Sequence, residues 1–168
     1  DRVPNSPQWK YAIGAGYRHL VENGNWLFTL SRNMLDNQAI KYYRNIETPD
    51  NLLYNYQSRE AENKLRIDRN FSWNDYQFSA GTNINFAKNT NDSTVKQVNQ
   101  NSVDFDVINS ELNLVQYGLY LQTAKKFLEN KVQVSLGARL DASNYSDLTN
   151  NPLEQFSPRF SLNYKFAE

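Results

Sequence analysis

Few side chains in this chain are suited to chemistry. His19 is the single histidine, and there is no cysteine. Proton transfer near neutral pH would therefore fall to His19, and a Ser-His-Asp arrangement would have to be built on it. No serine lies in the Gly-x-Ser-x-Gly turn that presents such a nucleophile. The lack of Cys removes disulfides, zinc-thiolate sites and thiol catalysis. Asp92, Asp104 and Asp106 sit in an Asn- and Asp-rich stretch but lack the spacing and closing Glu of a calcium loop, so they read as solvated loop carboxylates. Arg139, Asp141 and Arg159 form the remaining constellation. They could meet a bound partner or substrate, or neutralise one another, and inward charges on a packed wall need partners. The mutual network is the simpler reading. The expectation is a protein that is not an enzyme, with no catalytic, cofactor or metal residues and no ligand-binding residue identifiable.

The elements that carry these groups are strands. From Leu112 to Phe166 three segments alternate between apolar and polar side chains. Val115, Tyr117, Leu119, Leu121 and Phe127 oppose Gln116, Gly118, Tyr120, Gln122, Ala124 and Lys126. Val132, Val134, Leu136, Ala138 and Leu140 oppose Gln133, Ser135, Gly137, Arg139 and Asp141. Phe156, Phe160, Leu162, Tyr164 and Phe166 oppose Ser157, Arg159, Ser161, Asn163 and Lys165. A period of two places successive side chains on opposite faces of a strand. Here the polar face mixes glycine, serine, glutamine and isolated charges, which suits the crowded wet interior of a barrel whose apolar face meets lipid. Alternation alone also fits a soluble barrel or sandwich with the apolar face inward.

Earlier in the chain, Trp9 to Val21 and Tyr76 to Phe86 alternate in the same way, with Glu22-Asn23-Gly24-Asn25 as a hairpin turn. Leu52 to Phe71 reads as one long strand with charges on both faces. The expectation is an all-β, antiparallel up-and-down sheet, a partial transmembrane β-barrel of about seven strands. Tight turns fall near residues 23, 73 and 129, and long polar connections over 31–51, 88–111 and 144–154. Short turns at one end and long loops at the other are the pattern of outer-membrane barrels. Aromatic residues strengthen it. Trp26, Phe71, Trp73, Tyr76, Phe127, Tyr164 and Phe166 lie beside the tight turns; Trp9, Tyr11, Phe86, Tyr117 and Phe156 lie at the other strand ends. Two such girdles suit the two membrane-water interfaces.

Composition narrows the function classes. Lys plus Arg and Asp plus Glu number 18 each among 168 residues, so no electrostatic case exists for nucleic acid. The chain is polar on average and has no apolar run long enough for a helical span, a test that strands escape.

Two stretches carry a family resemblance. Val134-Ser135-Leu136-Gly137-Ala138-Arg139-Leu140-Asp141 is followed by Asn151-Pro152-Leu153-Glu154-Gln155-Phe156-Ser157-Pro158-Arg159-Phe160-Ser161-Leu162. A Leu-Gly-x-Arg-x-Asp strand, a loop and a Ser-Pro-Arg strand in this order resemble the barrel of TonB-dependent outer-membrane receptors. Gly14 to Arg18 and Ser31-Arg32-Asn33 are similar to Bacteroidetes members. The resemblance implies a barrel of about 22 strands in the outer membrane of a Gram-negative bacterium, plugged by a globular domain and energised through TonB. It would import a siderophore, cobalamin, glycan or similar nutrient. Residues 1–168 would then be one partial barrel segment, without the plug domain or the remaining barrel strands. Its partners would be outer-membrane lipid, the plug and the rest of the barrel, TonB through the plug, and a small-molecule or glycan ligand, with no cofactor. This segment would form lumen wall and extracellular loops, and transport by it alone is not expected. The other readings are a small self-contained outer-membrane barrel with a structural or adhesive role, and a soluble lipocalin-like barrel.

Overall fold

The computed structural model describes residues 4–98 and 103–166. Seven strands follow in order: β1 (Gln8–Val21), β2 (Gly24–Tyr42), β3 (Leu52–Trp73), β4 (Tyr76–Val98), β5 (Val103–Phe127), β6 (Val132–Ser143) and β7 (Ser157–Tyr164). They form one sheet in the order β1-β2-β3-β4-β5-β6-β7. It is an antiparallel up-and-down sheet that does not close, a partial barrel. Two short 3-10 turns, Tyr43–Asn45 and Pro49–Asn51, join β2 to β3. A single helical turn, α1 (Asp147–Asn150), lies between β6 and β7, and Ser146 and Thr149 cap it reciprocally.

Backbone chemistry explains the tight turns. Gly24 has φ +154, and a Cβ there would lie 1.9 Å from the Asn70 carbonyl oxygen, so glycine alone lets β2 begin against β3. Asn74 turns β3 into β4 with φ 50. Leu128, Glu129 and Asn130, with φ 50, 55 and 71, turn β5 into β6 through three left-handed residues in succession.

The expected long connections are shorter than their polar composition suggests. Most of residues 31–51 and 88–111 is strand, because β2 runs on to Tyr42, β4 to Val98, and β5 starts at Val103. Asp92, Asp104 and Asp106 accordingly belong to strands and not to loops. With polar residues on both faces there is no alternation to mark these segments. Their backbone groups are satisfied by neighbouring strands in the ladder.

The chain divides into two compact units. One comprises residues 1–13, 32–62 and 87–113; the other comprises 14–31, 63–86 and 114–168. In the first, the Asp36 carboxylate accepts from Arg59 Nη2 at 2.8 Å and from Gln57 Nε2 at 3.1 Å. These bonds hold the Asp36 carboxyl below the usual carboxylate range, Arg59 first and Gln57 second. In the same unit, Lys88 pairs with Glu111 at 2.9 Å, and the Tyr54 and Tyr56 rings stack at 6.2 Å.

In the second unit, β3 and β4 contribute residues 63–73 and 76–86, eleven residues each. That is the length with which a tilted strand crosses hydrocarbon. Burial is inverted relative to a water-soluble core. Leu119, Leu121, Leu136, Phe160 and Leu162 are between 54% and 69% exposed, whereas Asp68 and Ser135, on the polar face, are buried. Among the described residues no helix is long and apolar enough to cross a membrane, which says nothing of strands.

Candidate functional site

The polar face of the second unit gathers the charged side chains. Its register follows from β6, which pairs antiparallel with β5 and β7: Gly118 lies opposite Asp141, Tyr120 opposite Arg139, and Gly137 opposite Arg159. Alternation puts all six residues on one face. Two knots of contacts form there, each built on an Arg-x-Asp triplet whose first and third residues point the same way along a strand.

In the β6 knot, Arg139 grips Asp141 with Nε at 2.6 Å and Nη2 at 2.7 Å, a two-pronged charge-assisted contact. The same Nη2 donates to Asn83 Oδ1 on β4 at 3.2 Å. To reach β4 it passes over β5 at Gly118, where a Cβ would lie 2.4 Å from Asp141 Oδ1 and 3.0 Å from Asn83 Oδ1. In the β3 knot, Arg66 Nε contacts both Asp68 oxygens at 3.0 and 2.8 Å. Tyr120 Oη on β5 donates to Asp68 Oδ1 at 2.6 Å, across β4. Its ring passes over Gly81, where a Cβ would stand 2.5 Å from Tyr120 Cε1. The Arg66 guanidinium lies 5.8 Å from the Tyr120 ring centroid, adding a cation-π contact. Asp68, only 4% exposed, thus has two hydrogen-bonding partners.

The structure therefore resolves the expected Arg139, Asp141 and Arg159 constellation into unlike parts. Arg139 and Asp141 satisfy each other within β6. Arg159, opposite Gly137, has no carboxylate or hydrogen-bond partner among the described residues and lines a groove of about 270 Å³ with Arg66, Tyr120, Gln122 and Arg139. A larger groove of about 490 Å³ near the tight turns is lined by Asn25, Asn70, Gln77, Gln122 and Gln133, all uncharged amides. A third, of about 300 Å³, runs from Arg139 and Asp141 to Thr149 of α1 and Gln155.

His19 stands at the end of β1, exposed, with its ring 6.3 Å from that of Tyr17. Among the described residues no cluster of three His, Cys, Asp or Glu could hold a metal ion. Sequence reasoning missed Arg66, Asp68, Tyr120 and Gly81. A signal was present: Arg66-Ile67-Asp68 repeats the Arg-x-Asp spacing of Arg139-Leu140-Asp141, and on a strand that spacing brings the two charges to one face.

Comparison with known proteins follows the same lines. No curated protein sequence matches the chain. Among solved structures, the copper transporter OprC superposes with a TM-score of 0.58 at 12% identity, covering 96% of this chain and 27% of that one. The ferric preacinetobactin receptor BauA from Acinetobacter baumannii gives a TM-score of 0.46 at 10% identity, covering 94% and 27%. The chain thus spans about a quarter of the length of these structures. A family model described as TonB dependent receptor-like, beta-barrel, matches residues 4–168. An open antiparallel sheet with an apolar exposed face, a charged polar face and this family match has one assignment: the chain belongs to the β-barrel family of TonB-dependent receptors.

Proposed function

We propose that this chain forms part of the wall of an outer-membrane nutrient receptor in a Gram-negative bacterium. In this reading, residues 14–31, 63–86 and 114–166 cross the bilayer, with the apolar face on lipid and the polar face lining the lumen. The connections that follow β2, β4 and β6 open to the outside medium and gather the ligand. The observation that supports this best is the inverted burial: large apolar side chains exposed along strand segments of bilayer length, with Asp68 buried among its partners on the opposite face. Only a lipid surround makes the exposed apolar face favourable.

The two Arg-x-Asp knots are then self-neutralised wall. Of Arg139, Asp141 and Arg159, the last is left without a carboxylate among the described residues, and a carboxylate of the plug domain or an anionic ligand is the group it would meet in the lumen. The rest of the barrel supplies neighbours for the edges at β1 and β7. TonB, acting through the plug, supplies the energy, and the ligand is a siderophore, cobalamin, glycan or similar nutrient.

The test is uptake by cells producing the intact protein, measured with ferric siderophores, cobalamin and oligosaccharides, with and without TonB. Uptake of one class that disappears without TonB is the expected result. Ligand uptake that is unchanged by removing the protein or TonB overturns the reading.

A further inference from the structure

The apolar face of the second unit carries two cations among its described residues, Arg69 on β3 and Lys125 on β5. Both lie near the tight-turn ends of their strands, and each is embraced by rings. The Arg69 guanidinium is 5.3 Å from the Trp26 ring centroid and 5.5 Å from that of Phe71. Lys125 Nζ is 4.4 Å from the Tyr76 centroid and 5.6 Å from that of Phe127. Further ring contacts, Phe71 to Phe78 at 5.0 Å and Phe78 to Tyr76 at 6.1 Å, join the two cages into one belt over β2 to β5.

The belt is short of negative charge. Arg69 Nη1 is buried with no hydrogen-bond partner, and no carboxylate pairs with this side chain among the described residues. Among the described residues Lys125 has only Asp75 as a carboxylate partner, at 3.7 Å, and the Asp75 side chain is 82% exposed. Rings offset part of a cation's desolvation, but a guanidinium beside hydrocarbon still requires an anion. At this depth the available anion is the phosphodiester of the lipid itself. Arg can bind it through two parallel N–H bonds and Lys as a point charge.

We infer that Arg69 and Lys125, in their aromatic cages, form a binding site for an anionic phospholipid of the leaflet at the tight-turn side. The inference rests on the proposed lipid-facing assignment of the apolar face, and the experiment separates the two. The intact protein is reconstituted into vesicles of phosphatidylcholine with a minor share of phosphatidylglycerol, one or the other carrying brominated acyl chains. Quenching of Trp26 is isolated by subtracting the signal of the Trp26→Phe variant.

The expected result is that phosphatidylglycerol is enriched at Trp26 relative to its share in the vesicle, by about fivefold for each cation. The enrichment should fall as salt is raised and vanish in the double variant Arg69→Gln, Lys125→Gln, while quenching by brominated phosphatidylcholine persists and shows that the variant is inserted. Equal quenching by both lipids in the unaltered protein overturns the inference and leaves the lipid-facing assignment standing. Enrichment that survives the double substitution, or that ignores salt, also overturns it. No quenching by either lipid removes the lipid-facing assignment and the inference together.

Discussion

At the scale of single residues, the wall is held by side chains that reach over an intervening strand. Tyr120 meets Asp68 only because Gly81 leaves room beneath its ring. Gly81→Ala should displace that ring and cost about 1 to 3 kcal/mol by overpacking. Tyr120→Phe should cost about 1 to 3 kcal/mol by removing a hydrogen bond to a carboxylate, leaving Asp68 Oδ1 with Arg66 Nε at 3.0 Å. Both changes break one contact, so the double variant should cost clearly less than their sum; denaturant unfolding of the reconstituted protein checks this, and strict additivity would contradict the strap. Asp36 gives a pH prediction outside the segments read as spanning. Arg59 and Gln57 hold its folded pKa below the unfolded value, which for aspartate is about 3.9. Its stabilisation is therefore complete above that value and is lost as pH falls through the folded one. Acid titration of stability should lose this component in Asp36→Asn and be unchanged near neutrality in shape.

At the scale of strands, alternation revealed the faces and failed where both faces are polar. Leu119, Leu121 and Leu136 were legible as one surface because polar residues separate them. The far halves of β2, β4 and β5 were not, since Asn, Asp, Ser and Gln mark turns as readily as strands, and their pairing depends on neighbours distant in sequence. The tight turns near 23, 73 and 129 were legible, but the left-handed conformation of Leu128 within the last was not, because no local preference announces it. The Arg139–Asp141 pair was visible as a shared face; the reach to Asn83 was not, because it depends on which strand lies two places away. The face assignment yields a paired test. Leu119→Arg should cost about 2 to 4 kcal/mol in a bilayer, and Gln122→Arg much less, measured by unfolding from vesicles. Equal costs would count against lipid on the Leu119 face.

At the scale of the molecule, the sheet is open, with β1 and β7 at its edges, and the chain matches about a quarter of each solved structure. Family membership was legible because the Leu-Gly-x-Arg-x-Asp and Ser-Pro-Arg strands are short patterns that set Arg139, Asp141 and Arg159 on one face. The ligand was not legible, because the amides, hydroxyls and paired charges of the first unit, such as Asp36 with Arg59, name no single chemistry.

The glycine notches also bear on how the sheet reaches its final pairing. A slip of one residue turns every side chain to the wrong face, but a slip of two restores the alternation and escapes that penalty. The notch catches it. Sliding β4 by two residues would bring Ser79 or Asn83 under the Tyr120 ring in place of Gly81, and the bond to Asp68 could not form. Gly118, between Arg139 and Asn83, rejects the same slip of β5. The two glycines thus proofread strand alignment, a task that the hydrophobic pattern cannot perform.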